Sequence, residues 1–227
     1  DNCYYQMFYN CTGLTTAPEL PATTLAYRCY YNMFYGCSSL TQAPELPATT
    51  LTSSLATYCY YGMFRDCTSL TSTPTLPATN LVNYCYSNMF SGCTSLTTAP
   101  ELPATTLADN CYYQMFYNCT GLTTAPELPA TTLADNCYYQ MFYNCTGLTS
   151  APELPATTLV NRCYYQMFRN CSSLNEITTY ADDISASSCI YNWLNGVSAS
   201  GTFYNYGSAT YTSGASGIPS GWTEVTQ

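Results

Sequence analysis

Histidine and lysine are absent from this 227-residue chain, and its only cationic side chains are Arg28, Arg65, Arg162 and Arg169. Against them stand 13 Asp and Glu, so the formal net charge is -9. Neutralising a phosphate backbone takes clustered Lys or Arg, so nucleic acid is not an expected partner. Catalysis would have to draw on carboxylates, thiols and phenols alone. Charge of either sign is scarce, at 7% of residues. Even so, no apolar run approaches the roughly 20 residues that cross a bilayer, and no membrane span is expected. The chain opens at Asp1 directly on a repeat, without Met, signal peptide or lipidation motif, as a processed or partial chain would.

Cysteine, tyrosine and proline are abundant instead: 15, 25 and 13 residues. The cysteines mark a period. Cys3, Cys29, Cys59, Cys85, Cys111, Cys137, Cys163 and Cys189 start eight units, 26 residues apart except for Cys29 to Cys59, where an insertion around Thr52 to Leu55 makes the step 30. Eight residues after each of the first seven comes a second cysteine: Cys11, Cys37, Cys67, Cys93, Cys119, Cys145 and Cys171. Val197 stands at that place in the eighth unit.

One unit, Cys111 to Asn136, reads CYYQMFYNCTGLTTAPELPATTLADN. In its first half Cys111, Met115, Phe116 and Cys119 recur at three- and four-residue intervals, which predicts a short helix capped by Asp109 or Asn110. The residue before the second cysteine is Asn10, Gly36, Asp66, Gly92, Asn118, Asn144, Asn170 and finally Gly196. These types tolerate positive φ, and the position is expected to be left-handed. In the second half Pro126 and Pro129 exclude helix and bias their predecessors to extended angles, with Leu122, Ala125, Leu128 and Leu133 pointing inward. A lone unit cannot bury its Leu, Met and Phe. Stacked units share a core and form ladders of identical side chains, about 4.8 Å per rung on a strand side.

The stretch LPATTLADNCYYQMFYNCTGLTTAPELP resembles the BspA-like, Treponema pallidum-type leucine-rich repeat, whose pattern runs IP-x-x-V-T-x-I-x-x-x-A-F-x-x-C-x-x-L. Pro129, Leu133, Phe142, Cys145 and Leu148 fill the matching places. The resemblance covers roughly residues 1 to 196. This unit is about three residues longer than the family's and adds Cys137 and a Tyr-Tyr pair. Similar Thr- and Pro-rich versions occur in gut Bacteroidetes and their phages. The resemblance implies a leucine-rich-repeat solenoid and a surface or secreted binding protein, with no ligand identified.

The expected architecture is therefore a leucine-rich-repeat-like solenoid over 1–196, with a short extended segment and a short helix per coil, then a small β-type cap over 197–227. Alternation in Thr202 to Tyr206 and Gly221 to Val225 predicts short strands in that cap.

Fifteen regularly spaced cysteines admit a disulfide framework, buried free thiols or metal ligation. The absence of C-x-x-C and of His disfavours zinc. Helical positions eight apart lie about 12 Å apart, beyond the Cα reach of a disulfide, so pairing within a unit is disfavoured. The favoured expectation joins the second cysteine of one unit to the first of the next: Cys11 to Cys29, Cys37 to Cys59, Cys67 to Cys85, Cys93 to Cys111, Cys119 to Cys137, Cys145 to Cys163 and Cys171 to Cys189. Cys3 is left for an intermolecular bond. Stacked units also offer the rival, in which like cysteine faces like.

Three surfaces are candidates for binding. Tyr30, Tyr60, Tyr86, Tyr112, Tyr138 and Tyr164 form one column and Tyr5, Tyr31, Tyr61, Tyr113, Tyr139 and Tyr165 a second; one of the pair is packing and the other free to contact sugar or protein. The first is taken as the binding face. Glu19, Glu45, Glu101, Glu127 and Glu153 form a carboxylate ladder interrupted by Thr75, read as a solvated edge rather than a calcium site. Threonine pairs such as Thr105-Thr106, and Asn10, Asn118, Asn144 and Asn170 in N-x-[ST] patterns, are formal glycosylation acceptors.

No asymmetric catalytic constellation or cofactor site is evident, so an enzyme is not expected. The expectation is an extracellular or cell-surface module, or a virion-surface one, that binds a glycan or protein. The alternative is a structural subunit of a filament or phage tail fibre, assembling head to tail with copies of itself.

Overall fold

An α-helix spends every backbone N–H on its own chain, whereas a coil that must bind a neighbour has to keep some free. In the computed structural model, which describes residues 1–48, 51 and 56–227, the first half of each coil divides its donors evenly. The N–H groups of Tyr112, Gln114, Phe116 and Asn118 donate to Cys137, Tyr139, Met141 and Tyr143 of the next coil, at 2.8–3.0 Å. Those of Cys111, Tyr113, Met115, Tyr117 and Cys119 donate three residues back within the same coil, at 3.1–3.3 Å. Carbonyls alternate likewise: Tyr112, Gln114 and Phe116 accept from their own coil, and Cys111, Tyr113, Met115 and Tyr117 from the preceding one.

The expected short helix is therefore replaced by overlapping turns, and no α-helix occurs among the described residues. Left-handed residues explain the difference. Asn110, Gln114 and Asn118 have φ of 56°, 52° and 59°, one at every fourth position, which interrupts a right-handed helix each time. The expected left-handed position before the second cysteine holds in every coil, from Asn10 (φ 56°) to Gly196 (φ 78°). It is the last of three such positions rather than a stop after a helix.

A period of four still places the apolar residues on one face. Cys111, Tyr112, Met115, Phe116 and Cys119 are all buried, and their counterparts in the other inner coils match them. The second half alternates as an extended chain does: Pro126, Leu128 and Ala130 are buried, Glu127 and Pro129 exposed. Leu122 and Leu128 point inward as expected, Ala125 and Leu133 only partly, and Ala130 joins the core. Leu122 and Leu148 occupy neighbouring rungs, the carbonyl of Leu122 lying 3.0 Å from where a Cβ on Gly147 would sit.

Regular strand pairing appears in the C-terminal segment. Three strands, β1 (Glu176–Thr179), β2 (Gly201–Asn205) and β3 (Trp222–Thr226), form one parallel sheet in that order, with Ile177 opposite Phe203 and Phe203 opposite Glu224. Strands β2 and β3 fall within one residue of the alternating segments in the sequence. The inner aromatic column runs on through Trp193, stacked on Tyr164 at 6.2 Å and on Tyr211 at 6.0 Å. The insertion around Thr52 to Leu55 lies outside the described residues.

Candidate functional site

In-register stacking puts each side chain over its own counterpart one coil earlier, and this decides which columns are available to a partner. Tyr30, Tyr60, Tyr86, Tyr112, Tyr138 and Tyr164, expected as the binding face, lie inside the coil at 1–2% exposure. Their rings stack at 5.7–6.0 Å as core. Each follows a buried cysteine, and where a second Tyr comes next it is half-buried, so the first Tyr of the pair faces in and the second out.

The second column is the accessible one. Tyr31 and Tyr61 stack at 4.7 Å, Tyr113 and Tyr139 at 4.6 Å, Tyr139 and Tyr165 at 4.5 Å, with interplanar angles of 4–7°. Burial together with adjacent phenols pushes Tyr113 up to about 12. Ser87 interrupts the column but is itself buried, its Oγ donating to the Asn110 carbonyl, while Tyr84 stacks on Tyr58 at 4.4 Å. A third column pairs Tyr9 with Tyr35 and Tyr117 with Tyr143, each at 4.8 Å. Where that column changes to arginine, the guanidinium takes the ring's place: Arg65 lies 5.5 Å from the Tyr35 centroid and Arg169 5.8 Å from that of Tyr143. Arg28 lies over Tyr27, Tyr31 and Tyr58 on the same side. Because the rings cover one another's faces, this surface offers edges and hydroxyls rather than open π faces.

The cysteines also stand in columns. All fifteen are free thiols, and the staggered bonds Cys11 to Cys29 through Cys171 to Cys189 are not formed. The physical reason is register: bonding second to first cysteines requires an offset of eight residues within the stack, whereas the stack is in phase. Cys111 has Cys85 and Cys137 for column neighbours, and Cys145 has Cys119 and Cys171. In the second column each thiol from Cys37 to Cys171 donates to a phenylalanine carbonyl of the preceding coil, as Cys119 does to Phe90 and Cys171 to Phe142, at 3.0 and 2.9 Å. Burial raises Cys85, Cys119, Cys137 and Cys171 to about 12. Cys3 and Cys11 are exposed.

The left-handed positions build polar ladders. Asn144 Nδ2 donates to Asn118 Oδ1 at 3.0 Å, and the amides of Gln114, Gln140 and Gln166 form a donor-to-acceptor row. Sequence reasoning missed the Gln114 column. The signal was there in the four-residue spacing of left-handed types, Asn32 with Gly36, Gly62 with Asp66 and Asn88 with Gly92.

On the opposite side the ladder carboxylates Glu19, Glu45, Glu101, Glu127 and Glu153 are exposed. Thr75 Oγ1, at the interruption, donates to Glu45 Oε2 at 3.1 Å. No cluster of three or more metal-ligating side chains occurs among the described residues. Between successive Pro-x-Leu-Pro segments, where x is Glu or, at Thr75, Thr, lie open slots, of about 460 Å³ between Pro74–Pro77 and Pro100–Pro103 and about 230 Å³ between Pro100–Pro103 and Pro126–Pro129.

No curated protein matches the chain. A solved leucine-rich repeat protein from Bacteroides ovatus is similar over 96% of this chain and 70% of its own, at 17% identity and a TM-score of 0.34. The family model described as "BspA type Leucine rich repeat region (6 copies)" matches residues 3–123 and 112–213, nearly the whole solenoid. With coils stacked in phase around a shared Leu, Phe and Cys interior, the chain belongs to the BspA-type leucine-rich repeat family.

Proposed function

We propose that this protein is an extracellular or cell-surface recognition module that holds a repetitive glycan or protein ligand along its outer tyrosine columns. The observation that carries the reading is the strip Tyr113, Tyr139 and Tyr165, which repeats one phenol at 4.5–4.6 Å on a rigid stack. Rigid Tyr side chains lose little entropy on binding, and a repeated contact multiplies weak single affinities when the ligand repeats as well. With ring faces already covered, hydroxyls and ring edges make the contacts, so the ligand is one that offers regularly spaced hydrogen-bonding groups.

Glycan and secreted-protein arrays test this with wild type and a Tyr113→Ser, Tyr139→Ser, Tyr165→Ser variant. Serine already stands in this column at Ser87, so the coil accommodates it. Wild type retained and the variant lost is the expected result. Equal retention overturns the tyrosine strip, and long polymers in sedimentation favour the filament-subunit reading.

A further inference from the structure

The Pro-Glu-Leu-Pro face is open where the rest of the stack is closed. Pro100–Ala104 and Pro126–Ala130 make no inter-coil backbone hydrogen bond, nor do Pro18–Ala22, Pro44–Ala48 and Pro74–Ala78. Proline supplies the reason: two of every five residues there lack an N–H, and a ladder cannot form through them. Chain residues without those prolines show the contrast. Ile177 and Tyr180 stand where prolines stand in earlier coils, and there the ladder closes, with Leu154 donating to Thr178 at 3.1 Å and Tyr180 to Leu154 at 3.2 Å.

Bridges from Thr98 to Thr124 and from Thr106 to Thr132 hold neighbouring coils together on either side of this face. Between those bridges the slots open, walled by prolines, floored by buried leucines such as Leu102 and rimmed by Glu101 and Glu127.

We infer that this face is a second binding surface, whose slots take the Lys or Arg side chains of an extended segment of another protein. An aliphatic stem fits against proline walls while its cationic head reaches the rim carboxylate. An extended segment turns alternate side chains to one face, so Lys at every second position presents its cations to the slots together. The segment's backbone can use the N–H and C=O groups the prolines leave unladdered. A second copy of this chain does not supply the occupant: it has no Lys, Arg28, Arg65 and Arg169 lie over tyrosine rings, and the one remaining arginine, the exposed Arg162, cannot fill successive slots.

Carbodiimide coupling tests the assignment directly, because a chain without Lys does not crosslink to itself through lysine amines. The ligand is an end-blocked octapeptide alternating Lys and Thr, with a second peptide of the same composition carrying its Lys in one block. Adducts are expected at Glu101 and Glu127. The alternating peptide should bind more tightly than the block, and Glu101→Gln with Glu127→Gln should weaken it about tenfold. Thr75 at the equivalent place shows that a neutral residue is accommodated. Adducts spread equally over Asp109, Asp135 and Asp182, or equal affinity for both peptides, would overturn the inference. The readout is confined to the Pro-Glu face, so its failure leaves the tyrosine strip standing and the reverse holds as well.

Discussion

Cys145 Sγ donates to the carbonyl oxygen of Phe116, 3.0 Å away in the preceding coil. The same carbonyl accepts the N–H of Cys119, so one oxygen ties together two coils and two cysteines of a single column. A thiol that donates in this way keeps its proton, and a protonated thiol is a poor nucleophile. The interior thiols thus behave as small apolar packing groups with one weak donor each.

Labelling follows from burial. Maleimide treatment of reduced, folded protein near pH 7 is expected to modify Cys3 and Cys11 quickly and the remaining thiols only after unfolding. Mass spectrometry before and after denaturant reads the difference. Fast labelling of Cys119 or Cys145 in the folded state would refute the buried-thiol assignment.

Alkali should unfold the protein. Cys85, Cys119, Cys137 and Cys171 have folded values near 12 against an ordinary 9.0. The unfolded thiols ionise first, so the contribution is complete below about pH 9 and declines as pH rises. Each such thiol costs about 1.4 kcal/mol per pH unit in that window. Melting temperatures recorded from pH 8 to pH 11 are expected to fall with increasing steepness, and a flat profile would contradict the burial.

Gly92 has φ +78°, and a Cβ there would sit 2.1 Å from Asp66 Oδ1 of the preceding coil. Gly92→Ala therefore combines left-handed strain of about 1–2 kcal/mol with displacement of Asp66. Gly92→Asn should be milder, since Asn118 and Asn144 occupy this column with φ of 59° and 60°. Urea denaturation of the pair gives the order, and equal losses would reject the strain argument.

Phe116 is fully buried between Phe90 and Phe142, at 5.7 and 5.6 Å. Phe116→Ala is expected to cost about 3–5 kcal/mol through lost burial and a cavity. Thr123→Ala, at an exposed site in the same coil, should stay within about 0.5 kcal/mol. Comparable losses in the two variants would show that the stacked column is not the interior.

Much of this arrangement is legible in the residues. Cysteine spacing alone defines the coil, and the Asn, Gly and Asp column before the second cysteine marks a left-handed backbone because few other residues tolerate it. The helix was misread because apolar residues three and four apart suit both a helical face and a chain with a period of four. Local pattern cannot separate the two. Gln114 hid the difference, being a good helix former held here at φ 52° by its ladder with Gln140.

By itself the sequence determined the 26-residue period and the exclusion of helix from the proline half, since these follow from identity between units and from the missing proline N–H. Only tertiary structure decided where the remaining N–H groups go, which tyrosine of each pair is interior and which cysteines are neighbours. Those choices depend on an adjacent coil that supplies acceptors at Cys137, Tyr139 and Met141. A single coil, without that neighbour, has no means of making them.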